Sequence, residues 1–195
     1  MFKIEQIKTY VINLDKRKDR LSSVNIPVKW ERFVGTDGSH YFKEFGKLQG
    51  HIGCWDSHRR LLLHAKNNNH DLVMILEDDV EFSTNFKEEL QTLLNELPDD
   101  WDLLYLGGWN VGDVINYSKS LNVANVVYAT HAYIIRDKFF DTVLDSINSR
   151  KWKIDVLISE ALPKGKCFIA NTPIAWQKAG FSDIVNKVTD NKHLR

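Results

Sequence analysis

An apolar run ends without interruption in three carboxylates: Asp71-Leu72-Val73-Met74-Ile75-Leu76 is followed by Glu77-Asp78-Asp79. The run reads as a buried strand. Carboxylates crowded at the end of such a strand repel one another and lose water, which is costly. A divalent cation removes that cost, because hard cations take carboxylate oxygens and keep positions open for phosphate. In an extended chain Glu77 and Asp79 point one way and Asp78 the other, so Glu77 and Asp79 are expected to face a ligand together. The plainer alternative is a solvated acidic turn before a helix that starts near Ser83.

Length and charge narrow the classes of function. A chain of 195 residues predicts one domain, spanning 1–195, with a sizeable core. Lys plus Arg and Asp plus Glu both number 26, which argues against general affinity for nucleic acid or an anionic membrane. The two cysteines, Cys54 and Cys167, make no disulfide framework and lack structural zinc spacing, so a reducing compartment is the default. No apolar run approaches the roughly 20 residues of a transmembrane helix. Met1 to Lys8 carries no signal-peptide pattern, so a soluble, cytoplasmic protein is expected.

Strand and helix signals alternate, which predicts an α/β fold. Strands are expected at Ile7 to Leu14, Val28 to Val34, Asp71 to Leu76, Leu103 to Leu106, Val123 to Ala129, His131 to Ile135 and Cys167 to Ala170. Helices are expected at Asp15 to Ser23 with Asp15 as cap, His51 to Asn67, Ser83 to Glu96 with Ser83 as cap, Asp137 to Ile147, and Asp155 to Leu162. Gly35 to Gly50 reads as a loop, and the polar stretch Asn186 to Arg195 as a frayed tail.

Open α/β sheets bind ligands outside the carboxyl ends of their strands, and several polar groups fall there. The first strand ends near Asn13, with Arg17 and Arg20 three apart on one helix face. Guanidinium forks suit phosphate, although Lys16, Arg17, Lys18 and Arg20 also resemble a solvated face. After the second strand, Gly35-Thr36-Asp37-Gly38 permits a tight turn, and Asp37 is placed to accept ribose or uracil hydrogen bonds. An ordinary Asp-Gly turn is the simpler reading. In Gly53-Cys54-Trp55-Asp56-Ser57-His58, Cys54 and His58 share a helix face, but a pair is not a zinc site and Cys54 reads better as a packed thiol. A helix N-terminus near phosphate or ribose is the functional reading of this segment.

These segments together resemble glycosyltransferase family 25, which holds bacterial lipopolysaccharide sugar transferases and collagen galactosyl- and glucosyltransferases. The pieces are Tyr10-Val11-Ile12-Asn13-Leu14 with Arg17 and Arg20, Thr36-Asp37-Gly38, Gly53 to His58, Ile75 to Val80, Thr130 to Ile135, Pro173 to Gln177 and Ser182-Asp183-Ile184. The resemblance implies a GT-A-like single nucleotide-binding domain with a mixed central sheet flanked by helices. It implies inverting transfer of a hexose, galactose or glucose, from a UDP-sugar to a saccharide or glycoprotein acceptor. Glu77-Asp78-Asp79 then looks like the family's metal motif. The resemblance implies Asp79 as the direct ligand of Mn²⁺ or Mg²⁺, Glu77 at the metal, a metal-bound water or the ribose, and Asp78 beside the nucleotide-sugar. It likewise implies Asn13, Thr36, Asp37 and Ser57 in the nucleoside pocket, with Arg17 or Arg20 either reaching phosphate or serving the framework.

Inversion needs a base opposite the leaving group. Asp155, opening a helix after Trp152-Lys153-Ile154, is the candidate, and Glu160 the reserve. A simple helix cap is the plainer reading of Asp155. His131 suits phosphate, acceptor or core. Trp109, Trp152 and Trp176 are candidates for stacking on sugar, Trp109 first because Gly107-Gly108 put it on a loop. Two other classes remain: a non-catalytic nucleotide-sugar-binding module, and a metal-dependent phosphohydrolase built on the acidic cluster.

Overall fold

The computed structural model describes residues 2–191. In chain order the elements are β1 Lys8–Asn13, α1 Lys18–Ser23, β2 Glu31–Val34, α2 Gly38–Tyr41, α3 Gln49–Asn67, β3 Leu72–Glu77, β4 Val80–Phe82, α4 Phe86–Glu96, β5 Leu103–Tyr105 and β6 Trp109–Asn110. They continue with β7 Leu121–Val123, β8 Val127–Tyr128, β9 Ala132–Arg136, α5 Asp137–Ser149, α6 Ile154–Ala161, β10 Cys167–Ala170, β11 Ala175–Gln177, β12 Gly180–Ser182 and β13 Lys187–Thr189.

Seven strands form the central sheet in the order β2-β1-β3-β9-β5-β10-β7. β1 pairs in parallel with both β2 and β3, and β5 in parallel with β10. β9 runs antiparallel between β3 and β5, and β7 is antiparallel at one edge. The sheet is therefore mixed, and the α/β class expected from the sequence is the class observed.

The period of two along each strand splits the core into two halves. Val73 and Ile75 of β3 join Tyr10, Ile12, Tyr133 and Ile135 on one face. Leu72, Met74 and Leu76 join Val11, Ala132 and Ile134 on the other. α3, α5 and α6 cover the first face with Leu61, Phe140 and Leu157 among others. α4 covers the second with Phe86, Leu90, Leu93 and Leu94, one stripe at helical spacing. Water is excluded from both faces, which is why β3 reads as an unbroken apolar run.

Several local expectations are corrected. Asp15 does not cap α1: Arg17 occupies that position, and the Asp15 carboxylate pairs with Arg32 at 2.6 Å. Ser83 does not cap α4, since Asn85 precedes the helix and the Ser83 hydroxyl bonds Glu89 instead. The stretch 35–50 is not open loop but holds α2 and a 3-10 turn, Lys43–Leu48. The strand expected over 123–129 is split between β7 and β8. The expected frayed tail, 186–195, contains β13, which pairs antiparallel with β12, while 192–195 lie outside the described residues. Among the described residues no helix is long and apolar enough to cross a membrane.

Two glycines bring the segment after β2 against the start of α3. A Cβ on Gly38 would lie 1.8 Å from the Gln49 carbonyl oxygen, and one on Gly53 would lie 2.6 Å from both the Gly38 nitrogen and the Thr36 carbonyl oxygen. Backbone meets backbone there, so no side chain can swing aside. Gly38→Ala is expected to destabilise the protein by about 1–3 kcal/mol, the usual cost of overpacking. Urea unfolding of the variant beside the parent checks it, and an unchanged midpoint would contradict the close approach.

Candidate functional site

The parallel strands β1, β2 and β3 end at the same edge of the sheet, delivering Asn13, Val34 and Glu77 side by side. A cleft of about 740 Å³ opens there, with Arg20, Thr36, Asp37, Ser57, Glu77 and Asp79 in its walls. A smaller chamber of about 230 Å³ adjoins it, lined by His51, Trp109, Tyr128, Thr130 and Asp155. Cys54, Glu77, Gln177 and Ile184 line both. Glu77 thus stands where the two meet.

The acidic turn does not alternate as an extended strand would. β3 stops at Glu77, and Asp78 and Asp79 form a tight turn into β4. Arg20 reaches both, at 2.7 Å to Asp78 Oδ1 and 3.3 Å to Asp79 Oδ2, and its other terminal nitrogen donates to the Phe181 carbonyl. Asp78 also accepts from Asn13 Nδ2 at 2.7 Å. Burial pushes Asp78 up, with Arg20 and Asn13 opposing. Burial and the neighbouring charges of Glu77 and Asp78 push Asp79 up to about 7, against the pull of Arg20. Its Oδ1 is buried with no hydrogen-bond partner among the described residues. Glu77 accepts from Thr130 Oγ1 at 2.9 Å and from Gln177 Nε2 at 3.3 Å. Burial favours its neutral form, but His58, His131 and Thr130 outweigh that and hold it below the usual range.

An orphaned carboxylate oxygen beside a second carboxylate is the arrangement a hard cation satisfies. In its chemistry the carboxylate pair Asp79 and Glu77 fits a hard divalent cation.

The other expected residues divide. Asp37 lines the larger chamber, caps α2 through Ser39, and pairs with Lys16 at 2.8 Å. Burial works to raise it, while Lys16 and Ser39 outweigh burial and lower it. Thr36 and Ser57 also line the chamber but are tied to the scaffold: Thr36 N donates to Ser57 Oγ at 2.8 Å, and Thr36 Oγ1 donates to Asp56 at 2.7 Å. Asn13 lies beneath the wall rather than in it, its amide spent on Arg17, Asp78 and Arg32. Arg17 pairs with Asp19 and Asp183, and so holds the hairpin of β12 and β13. The segment Gly53 to His58 lies inside α3, which begins at Gln49, so it is not a helix N-terminus.

Asp155 faces the smaller chamber from the first turn of α6, where its carboxylate accepts from the Val156 N–H at 2.9 Å. It is not the cap, a position Lys153 holds. Trp109 is exposed and packs edge-on against Tyr128 in the same chamber. Glu160 is exposed and pairs with Arg150 at 2.5 Å, away from both chambers. His131 is fully buried and sits 3.1 Å from the Ala175 carbonyl, a core position beneath Glu77. Trp176 donates to Glu81 at 3.0 Å, and Trp152 is exposed, lining neither chamber. Gln177, His51 and Asp183 border the chambers without having been singled out for a role. Gln177 and Asp183 reach the site through β11 and the hairpin, whose places no local pattern announces.

The sheet order, the acidic turn and the two chambers define a GT-A-like α/β fold with its cleft at the strand ends. The crystal structure of A197 from STIV superposes with a TM-score of 0.50 over 97% of each chain at 13% identity, which speaks for the fold alone. The family model for glycosyltransferase family 25 (LPS biosynthesis protein) matches residues 38–143, and the chain belongs to that family. Procollagen galactosyltransferase 1-B of Xenopus laevis is 42% identical over 95 residues, covering 45% of this chain and 16% of the relative. Procollagen galactosyltransferase 2 of Homo sapiens is 33% identical over 89 residues, covering 44% and 14%. Inactive glycosyltransferase 25 family member 3 of Homo sapiens is 32% identical over 95 residues, covering 45% and 16%. The matched part is thus a small fraction of these relatives' own length.

The raised Asp79 makes stability depend on pH. Its folded value, about 7, lies above the ordinary 3.8. Between these values the folded protein holds a proton that the unfolded chain releases, so stability falls as pH rises through that window and levels above it. Asp79→Asn is expected to flatten this part of the profile, measured as urea-unfolding free energy from pH 4.5 to 8 without divalent metal. An identical slope in parent and variant would remove the assignment.

Proposed function

We propose that this chain acts as one domain, an inverting hexosyltransferase that moves galactose or glucose from a UDP-sugar to a saccharide or glycoprotein acceptor. The observation that carries this reading is the pair of chambers meeting at Glu77, one with the acidic turn and the other with Asp155. The larger chamber takes the UDP-sugar. Asp37, Thr36 and Ser57 lie toward the nucleoside, and Asp79 and Glu77 hold Mn²⁺ or Mg²⁺. That cation, when bound, offsets the diphosphate charge and eases departure of UDP. Thr130 and Gln177 keep the Glu77 carboxylate in place between the chambers.

The smaller chamber takes the acceptor. Asp155 removes the acceptor hydroxyl proton as that oxygen bonds to the anomeric carbon from the face opposite UDP, and the bond to UDP breaks with its electron pair leaving on phosphate. Trp109 offers an exposed ring to the apolar face of a sugar. The relatives named procollagen galactosyltransferases favour galactose and a collagen-type acceptor. The relative named inactive supports a second reading, a nucleotide-sugar-binding module without transfer.

A panel of UDP-sugars with Mn²⁺, followed by UDP release, tests the activity. Release from no donor, with UDP still bound, would favour the binding module. Asp79→Asn is expected to keep the fold and strongly weaken metal-dependent UDP binding in calorimetry; unchanged affinity would clear Asp79 of the role.

Asp155→Asn is expected to leave donor binding and melting temperature nearly intact while lowering transfer by about 10²–10⁴-fold. The amide oxygen still accepts from the Val156 N–H. Near-normal transfer would sink Asp155 as the base, and loss of both transfer and stability would make it structural.

A further inference from the structure

Cys54 and His58 lie one turn apart on α3, and Glu77 ends β3 opposite them. One ligand atom from each lies within 4.8 Å of the other two. Tetrahedral zinc, with bonds of about 2.0–2.3 Å, separates such atoms by roughly 3.3–3.8 Å, so modest side-chain rotation closes the set. Two further observations point at a ligand. His58 is fully buried, yet its Nε2 has no hydrogen-bond partner among the described residues and stands 3.5 Å from Glu77 Oε1. Its other nitrogen, Nδ1, lies 3.0 Å from the Tyr133 hydroxyl, with the two rings stacked. Without metal, Nε2–H can face the Glu77 carboxylate while Nδ1 accepts from Tyr133; metal binding selects the other tautomer, which donates from Nδ1 to Tyr133 and frees the Nε2 lone pair, the outer-shell support that zinc-binding histidines use.

We propose that Cys54, His58 and Glu77 form a three-ligand Zn²⁺ site where the two chambers meet, independent of Asp79 and sharing only Glu77 with the hard-cation position. Thiolate and imidazole select a softer metal than the oxygens of Asp79 do. Thiolate and carboxylate together match the charge of the ion. Coordination replaces the sulfur–hydrogen bond by a sulfur–zinc bond, and the proton passes to buffer. The fourth position opens toward the cleft, because Cys54 and Glu77 line both chambers. Zn²⁺ there occupies the passage between them and withdraws Glu77 from any other duty, so the site is inhibitory. Binding of Zn²⁺ there does not require the transfer reading, whereas its inhibitory effect rests on that reading.

Co²⁺ added to the full chain tests this without any activity assay. The expected spectrum has a thiolate-to-cobalt charge-transfer band in the near ultraviolet, erased by one equivalent of Zn²⁺. Cys54→Ser should abolish the band with the circular dichroism spectrum unchanged. Tyr133→Phe should weaken Zn²⁺ binding about 10–100-fold. Asp79→Asn should leave the band intact. No band in the parent protein, or a band that survives Cys54→Ser, overturns the site. Loss of the band in a folded Asp79→Asn variant overturns its independence of Asp79.

Discussion

Arg20 makes the central strand possible. A strand closed to water on both faces can end in carboxylates only if something nearby takes up their charge. The guanidinium does this twice, touching Asp78 and Asp79 with one nitrogen, while the second nitrogen binds the Phe181 carbonyl. Asn13 supplies a neutral donor to Asp78. What remains uncompensated is one buried oxygen of Asp79, a residue that lines the cleft. The scaffold neutralises most of its acidic turn and leaves one carboxylate oxygen at the site unsatisfied.

The same economy runs through the rest of the cleft. Thr36 donates to Ser57 through its backbone N–H and to Asp56 through its hydroxyl, so the segment after β2 is held to α3 by these bonds as well as by the contact of Gly38 with Gly53. Glu77 is oriented by Thr130 and Gln177, each bonding a different carboxylate oxygen. Polar side chains near a ligand cavity therefore serve two ends, and many candidates picked by residue type turn out to be framework.

Sequence pattern exposed what is local. The buried run of β3, the stripe of α4 and the position of Asp155 near the start of α6 follow from periodicity and breakers. Non-local pairings stayed hidden. β9 sits antiparallel between β3 and β5, a placement that the apolar segment after Thr130 does not announce. Arg20 read equally as a phosphate ligand or a solvated side chain, because its carboxylate partners are 58 and 59 residues away. Alternation along 77–79 failed because the chain leaves extended geometry at Asp78. His131 lay in a segment that matched the family pattern, but burial under Glu77 makes it core.

One wall of the larger chamber comes from Ser182, Asp183 and Ile184, fixed by Arg17 to Asp183 and by Arg20 to Phe181. These contacts join positions 166 and 161 residues apart. As the chain leaves the ribosome, the sheet strands β1, β2 and β3 are out long before the hairpin that closes the cleft. Loop closure over such a span is among the slowest steps to be repaid by contacts. A nascent chain can therefore be well folded in its core and still have no finished cavity. The finished cavity is a property of the whole described chain and not of the segment that carries the acidic motif.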